Sequence, residues 1–166
     1  LDMYFPALFT DFHRKFPGID ISVVEEGSKL VAASVGVGKA DLGLVMLPVE
    51  ESSRFESHLL TSDVCQLVVN RNHPFAQMPS VHISELKEET ILTFSETATL
   101  HDTFISMCGE QGIAPRIACK SLMPGFTFKM VAMQQCIALL PLPLITHNMC
   151  AELVTVPLEP RLQWDI

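Results

Sequence analysis

The sequence predicts an α/β protein built as two lobes, with the chain crossing between them twice. Three observations carry this. Residues 5–46 read helix, strand, helix, strand, and the second strand, Asp41-Leu42-Gly43-Leu44-Val45-Met46, is a near-continuous apolar run of the kind a sheet covered on both faces needs. After a break at Asn70-Arg71-Asn72-His73-Pro74 the same alternation resumes to about residue 145. A strand ending near Val69 enters the second lobe and one starting at Leu153 returns from it, which makes a two-strand hinge. A cleft between such lobes is where small ligands tend to bind.

Each element has its own signal. Phe5, Leu8, Phe9, Phe12 and Phe16 form one helical face, with Pro6 suited to the first turn and Pro17-Gly18 stopping the helix. The β-branched run Ile19–Val24 reads as a strand. Ser28 is a plausible N-cap for a helix over 29–37 that Gly36 and Gly38 end. A short strand is expected at Phe55–Leu60 and a clearer one at Val64–Val69. One helical turn is expected around Lys87-Glu88-Glu89, then a strand at Thr90–Phe94. Leu100, Phe104, Met107, Cys108 and Gln111 share a helical face that Gly112 terminates. Arg116–Lys120 reads as a strand, Gly125–Met133 as a helix and Ile137–Leu140 as a buried strand. Pro141 and Pro143 start another short helix, and strands at Leu153–Val156 and Leu162–Ile166 close the chain.

Composition narrows the function. The 166 residues suit one domain or two small lobes, and 48% hydrophobic against 18% charged residues is enough apolar surface for a core. Eleven Lys and Arg against 19 Asp and Glu give a net charge of -8, which repels phosphate backbones and disfavours nucleic-acid binding by this segment. No apolar run reaches the roughly 18–20 residues of a membrane span, so no membrane partner is expected. Five widely spaced cysteines with no CxxC pair make neither a disulfide framework nor a zinc ribbon, and they point to a reducing, cytoplasmic home. The start lacks a basic, signal-like segment, and it opens on Leu1 rather than Met, so the chain is expected to be a piece of a longer polypeptide.

Several motifs, in order, resemble the effector-binding domain of LysR-type transcriptional regulators. Phe5-Pro6-Ala7-Leu8-Phe9-Thr10-Asp11-Phe12-His13-Arg14-Lys15-Phe16-Pro17-Gly18 is similar to that family's opening helix. Glu26-Gly27-Ser28 with Gly38-Lys39-Ala40-Asp41-Leu42-Gly43-Leu44, then His73-Pro74-Phe75-Ala76, Gly112-Ile113-Ala114-Pro115-Arg116, and Val131-Ala132 through Ile137-Ala138-Leu139-Leu140-Pro141 continue the likeness over nearly the whole chain. Gln134 and Cys136 stand where the family usually has glycines, so a left-handed helix end at Gln134 would be strained. The family's first strand normally precedes the helix at Phe5, and none is read there. The resemblance implies a periplasmic-binding-protein-like type II fold: two Rossmann-like lobes joined by a two-strand hinge. Lobe I would span about 1–69 and 146–166, and lobe II about 70–145. A small-molecule effector would sit between them, with DNA read only by a helix-turn-helix domain that this chain does not include. The resemblance also favours a homodimer, with a tetramer as the further step in the full-length protein. Its interface would pair the Phe5, Leu8, Phe9 and Phe12 face with the Phe126, Met130 and Met133 helix.

The residues themselves point to a binding pocket more than to chemistry. Hydroxyl residues cluster at strand-to-helix turns, which gather at the carboxyl ends of parallel strands, and helix N-termini suit a carboxylate or phosphate. Plain N-capping explains any one of them equally well. The expected pocket takes Gly27, Ser28, Met46 and Leu47 from one side and Phe94, Ser95, Thr97, Met123, Gly125 and Thr127 from the other. Ser28, Ser95 and Thr127 would donate hydrogen bonds, and Met46, Leu47, Phe94 and Met123 would form apolar wall. With no Arg or Lys in that set, a small carboxylate with an apolar body fits best. No catalytic residue, metal site or cofactor is expected. No GxSxG elbow occurs, His101 and Cys108 are two turns apart on one helix, and close His/Cys/Asp spacing is absent. The reading is therefore a sensor rather than an enzyme. The alternatives are a transport solute-binding protein or an enzyme on the same fold.

Overall fold

The computed structural model describes residues 5–49, 54–120 and 123–166, with the side chain of Phe5 outside that description. Its elements in chain order are α1 (Phe5–Lys15), α2 (Ser28–Gly36), β1 (Ser62–Asn70), β2 (Val81–His82), β3 (Thr90–Thr93), α3 (Thr99–Glu110), β4 (Arg116–Lys120), α4 (Pro124–Ala132), β5 (Ile137–Pro141), α5 (Leu142–Asn148) and β6 (Leu153–Asp165). The strands form one six-stranded sheet in the order β2-β6-β1-β5-β3-β4.

The sheet is mixed for a topological reason. β3 lies parallel to both β4 and β5, with the chain leaving β3 through α3 to β4 and returning through α4 to β5 on the other side. Right-handed crossovers in opposite directions put the two helices on opposite faces. In keeping with that, α4 packs with α5 against β1 and β5, while α3 packs towards β6 and the turn at Ile83–Glu88. A chain that departs both ways from one strand leaves a crevice beyond that strand's carboxyl end, here at Thr93.

β1 and β6 are the two strands that the sequence assigns to the crossings. They pair antiparallel along their whole length, from Ser62 opposite Asp165 to Asn70 opposite Leu153. The register slips between Cys65 and Gln66, whose partners are Leu162 and Pro157. Residues 158–161 bulge out of the ladder there, and Leu158 and Glu159 pair instead with Val81 and His82 of β2. The two closing strands read from sequence are thus one bulged strand. Above the slip, β1 also pairs with β5, from Cys65 opposite Pro141 to Val68 opposite Ala138. Below it, Leu47 bonds Asp165 and Leu60 bonds Ile166 through their backbone N–H groups.

The core lies around the upper part of the sheet. Leu67, Val68, Val69, Ile91, Leu92, Leu100, Phe104, Cys108, Ile137 and Leu139 are buried. Leu100, Phe104 and Cys108 are one stripe of α3, as their i, i+4, i+8 spacing requires. The motif His73-Pro74-Phe75-Ala76 is structural: the His73 ring accepts from the Phe75 N–H and caps a short 3-10 turn, and its other nitrogen lies 3.3 Å from Glu89. A second 3-10 turn, Ile83–Glu88, carries a reciprocal cap between His82 and Glu85.

Three sequence expectations fail. Ile19–Val24, Asp41–Met46 and Phe55–Leu60 are not strands, although Leu47 makes an isolated bridge to Asp165. No described strand runs beside them, so their backbone groups have no ladder, and β-branched side chains alone do not make a strand. Val23, Val24 and Leu42 are in consequence strongly exposed. Other details hold. Gly112 has a φ of 68° and ends α3, and Gln134 takes the left-handed conformation the helix end demands, with a φ of 57°. That conformation costs a side-chain-bearing residue about 1–2 kcal/mol.

Candidate functional site

Two turns that each lead into a helix, far apart in the sequence, meet. One is Gly27-Ser28-Lys29, leading into α2. The other is Ser95-Glu96-Thr97, between β3 and α3. The Lys29 N–H donates to the Thr97 carbonyl at 3.3 Å, and the Lys29 ammonium donates to the Glu96 carbonyl at 2.8 Å. The same ammonium lies 2.5 Å from the Asp102 carboxylate on α3. Gly27 is buried against Thr97: a Cβ there would fall 2.3 Å from the Thr97 hydroxyl oxygen and 2.6 Å from its carbonyl oxygen. Only glycine lets these two backbones approach so closely.

The hydroxyls singled out by sequence are present but largely engaged. Ser28 does not cap its helix. Gly27 holds the N-cap position, and the Ser28 oxygen accepts from the Met46 N–H at 2.9 Å, which leaves its own proton to donate. Ser95 and Thr97 bond each other through their hydroxyls at 2.6 Å, and the Thr97 N–H donates to Ser95. Thr127 is buried, and its hydroxyl donates to the Met123 carbonyl at 3.2 Å within its own helix. Met46 accepts from the Trp164 indole N–H at 2.7 Å, which ties this wall to β6. Leu47 sits beside it on the bridge to Asp165. Phe94 is buried in the core, Gly125 has open space around it, and Met123 is 70% exposed.

Sequence reading missed the groups left without partners. Among buried side-chain atoms the Thr93 and Thr99 hydroxyls and the His101 Nδ1 have no hydrogen-bond partner. All three lie at the carboxyl end of β3 or in the first turn of α3, the crevice that the topology predicts. No motif marks them, because a threonine ending a strand or opening a helix is ordinary capping chemistry. The charged rim was missed in part: Lys120 of β4, which the sequence offers as a contact for an acidic ligand but more readily as scattered surface charge, pairs with Glu96, and Lys29, not singled out, pairs with Asp102. These bonds hold the Glu96 carboxyl below its usual range, chiefly through the Lys120 hydrogen bond.

His101 is buried, and desolvation pushes its imidazole below the ordinary value of 6.5. Asp102 and Glu96 oppose that shift, and Lys120 and Lys29 add to it. Burial disfavours the thiolate at three of the five cysteines. Burial pushes Cys65 far up and raises Cys108 and Cys136 to about 11. Among the described residues no group of His, Cys, Asp and Glu could hold a metal ion, and no helix is long and apolar enough to cross a membrane.

Comparison with known proteins places this geometry. The LysR substrate binding domain model matches residues 2–166. An HTH-type transcriptional regulator of Bacillus subtilis, YwbI, is 30% identical over 164 residues, which cover 98% of this chain and 54% of that protein. The regulator AlsR of the same organism is 28% identical over 118 residues, 69% of this chain and 38% of its own length. The chain thus spans about half the length of the curated relatives it matches. Among solved structures, the regulatory domain of Synechocystis CcmR in complex with 2-PG superposes with a TM-score of 0.80 at 16% identity, covering 99% of this chain and 80% of that one. The effector-binding domain of QuiR in complex with shikimate gives 0.76 at 22% identity, covering 98% and 79%. The fold is therefore the periplasmic-binding-protein-like type II fold expected from sequence.

The buried His101 yields a pH prediction. Its lowered pKa means that the unfolded chain protonates first, so its contribution to stability is full above about pH 6.5 and is lost as pH falls below that value. Thermal melts at pH 7.5 and 5.5 should show a smaller drop in His101→Gln than in the wild type. Equal drops would mean that His101 is not the responsible group.

Proposed function

Since the chain belongs to the LysR substrate-binding-domain family, we propose that it is the effector-sensing part of a DNA-binding transcriptional regulator. A small-molecule effector binds between lobe I, about residues 1–69 and 146–166, and lobe II, about 70–145. The observation that carries this is the meeting of the Gly27–Lys29 and Ser95–Thr97 turns, which puts two helix starts from separate lobes on one site. A ligand there touches both lobes at once, and it shifts their arrangement only by binding one arrangement more tightly than another. DNA is read by a separate helix-turn-helix domain. The relatives are regulators rather than transporters or enzymes, which supports a non-enzymatic, cytoplasmic role.

The ligand is a small oxygen-rich acid. CcmR with 2-PG and QuiR with shikimate support that class. The site supports it through the free Ser28 proton, the Ser95–Thr97 hydroxyl pair and the start of α3, with Met46 and Leu47 as apolar wall. Thr127 has spent its proton on Met123, so its part in the pocket is limited to shape and accepting. Titration calorimetry of this chain with shikimate, 2-PG and benzoate should give saturable binding of at least one acid at one site per chain. Ser95→Ala should weaken that binding by about 1–3 kcal/mol. If none of a wide set of small acids binds, or if Ser95→Ala binds as well as wild type, the cleft assignment fails.

The same chain forms a homodimer through α1 and α4. Leu8 and Phe12 on α1, and Phe126 and Met133 on α4, are exposed, while Phe9 and Met130 are half-buried. Two separate exposed apolar helix faces suit a two-fold interface in which each α1 meets the partner's α4. Sedimentation should show a dimer for the wild type and a monomer for Leu8→Glu. A wild-type monomer at high concentration would refute the arrangement.

A further inference from the structure

We propose that Lys29 is a salt-sensitive clasp that holds the unliganded cleft shut, so that its two turns must part before an effector enters. The inference rests on the cleft reading above and adds what keeps the cleft closed and what opens it. Lys29 stands on the lobe I turn, and three of its contacts reach residues 96–102 of lobe II. Its N–H donates to the Thr97 carbonyl at 3.3 Å, and its ammonium donates to the Glu96 carbonyl at 2.8 Å and lies 2.5 Å from the Asp102 carboxylate. The Glu96 side chain is tied to Lys120 of β4, which leaves the Glu96 carbonyl to Lys29.

Gly27 is the second, independent sign of closure. Its φ of -67° and ψ of 148° lie in the extended region that any residue adopts, so its own turn does not demand glycine. The demand comes from across the cleft. The three atoms nearest a Cβ at this position all belong to Thr97, between 2.3 and 2.6 Å away. A glycine required only where the other turn presses on it belongs to the closed arrangement. The clasp is also weak enough to open. The Lys29 and Asp102 side chains are 34% and 58% exposed, so water and salt reach the pair. Ser28 and the Ser95–Thr97 hydroxyl pair sit on these same two turns, so a ligand has no entry between them while Gly27 touches Thr97.

Hydrogen exchange at the Lys29 amide, read by nitrogen-15 NMR of the unliganded chain, tests the clasp without any ligand. Raising sodium chloride from low salt to about 0.5 M should speed this exchange by about threefold, because screening weakens an exposed ion pair. Asp102→Asn should speed it by a similar factor and abolish most of the salt response. Gly27→Ala, which wedges the turns apart without touching a charge, should speed it by about tenfold through local opening. Both substitutions keep residues 28 and 29, so the intrinsic exchange of this amide is unchanged. The amides of Leu67 and Leu139 in the core should change far less in every case. If Gly27→Ala accelerates those core amides equally, the salt and Asp102→Asn results decide. A Lys29 amide that exchanges only in step with the core would make the two turns one rigid body and overturn the clasp. A rate indifferent to both salt and Asp102→Asn would overturn it as well. Exchange as expected, but with no acid bound in the calorimetry above, would defeat the cleft reading and leave the contact between the turns standing.

Discussion

The antiparallel pairing of β1 with β6 is the contact on which the rest depends. It is the only long ladder among the described strands that spans both halves of the chain, and its register slip divides it into two stretches. Above the slip, β1 belongs to the packed sheet with β5. Below it, the pair holds Leu47 and Leu60 through backbone bonds to Asp165 and Ile166. The Met46 wall is anchored to the same strand by Trp164. The proposed cleft would thus be tethered at its base by β1 and β6, with Lys29 reaching Glu96 and Asp102 at its rim.

The two regions differ in how much of their apolar surface they bury. The upper sheet encloses Leu67, Leu92, Phe104 and Leu139 almost completely, while Val24 and Leu42 stay exposed on segments without a ladder. The rim contacts are individually modest, because Lys29 and Asp102 are partly exposed and such ion pairs contribute about 0–1 kcal/mol. A firm hydrogen-bonded base with weak closure at the rim is what a ligand-responsive cleft needs. Small differences in ligand affinity then suffice to shift the balance between arrangements.

The sequence was most legible where local pattern and tertiary context agree. The α1 stripe, the α3 stripe with Gly112, the buried run of β5 and the strands at Val64–Val69 and from Leu153 were all readable from periodicity and stop signals. The failures share one cause. Ile19–Val24 and Asp41–Met46 have strand-like composition, but a strand exists only with a neighbour to bond, and pairing is not a local property. The same limit governs the site. Sequence shows that Ser28 and Thr127 are hydroxyls at helix starts. It does not show that Ser28 accepts from Met46 or that Thr127 serves Met123. Nor does it reveal that Thr93, Thr99 and His101 are the atoms left over, since being unpartnered depends on everything packed around them. Lys29 was overlooked because a lone lysine usually reads as solvated charge.

The central claim is that β1 and β6 join two lobes whose relative arrangement a bound acid alters. Residual dipolar couplings of the backbone amides, measured without ligand and at saturation with a binding acid, test it most directly. The account predicts that couplings within each lobe keep fitting one rigid frame while the two frames rotate relative to each other, with the change centred on Cys65-Gln66 and the opposing bulge at 158–161. A single frame that fits all couplings equally well with and without ligand would contradict it.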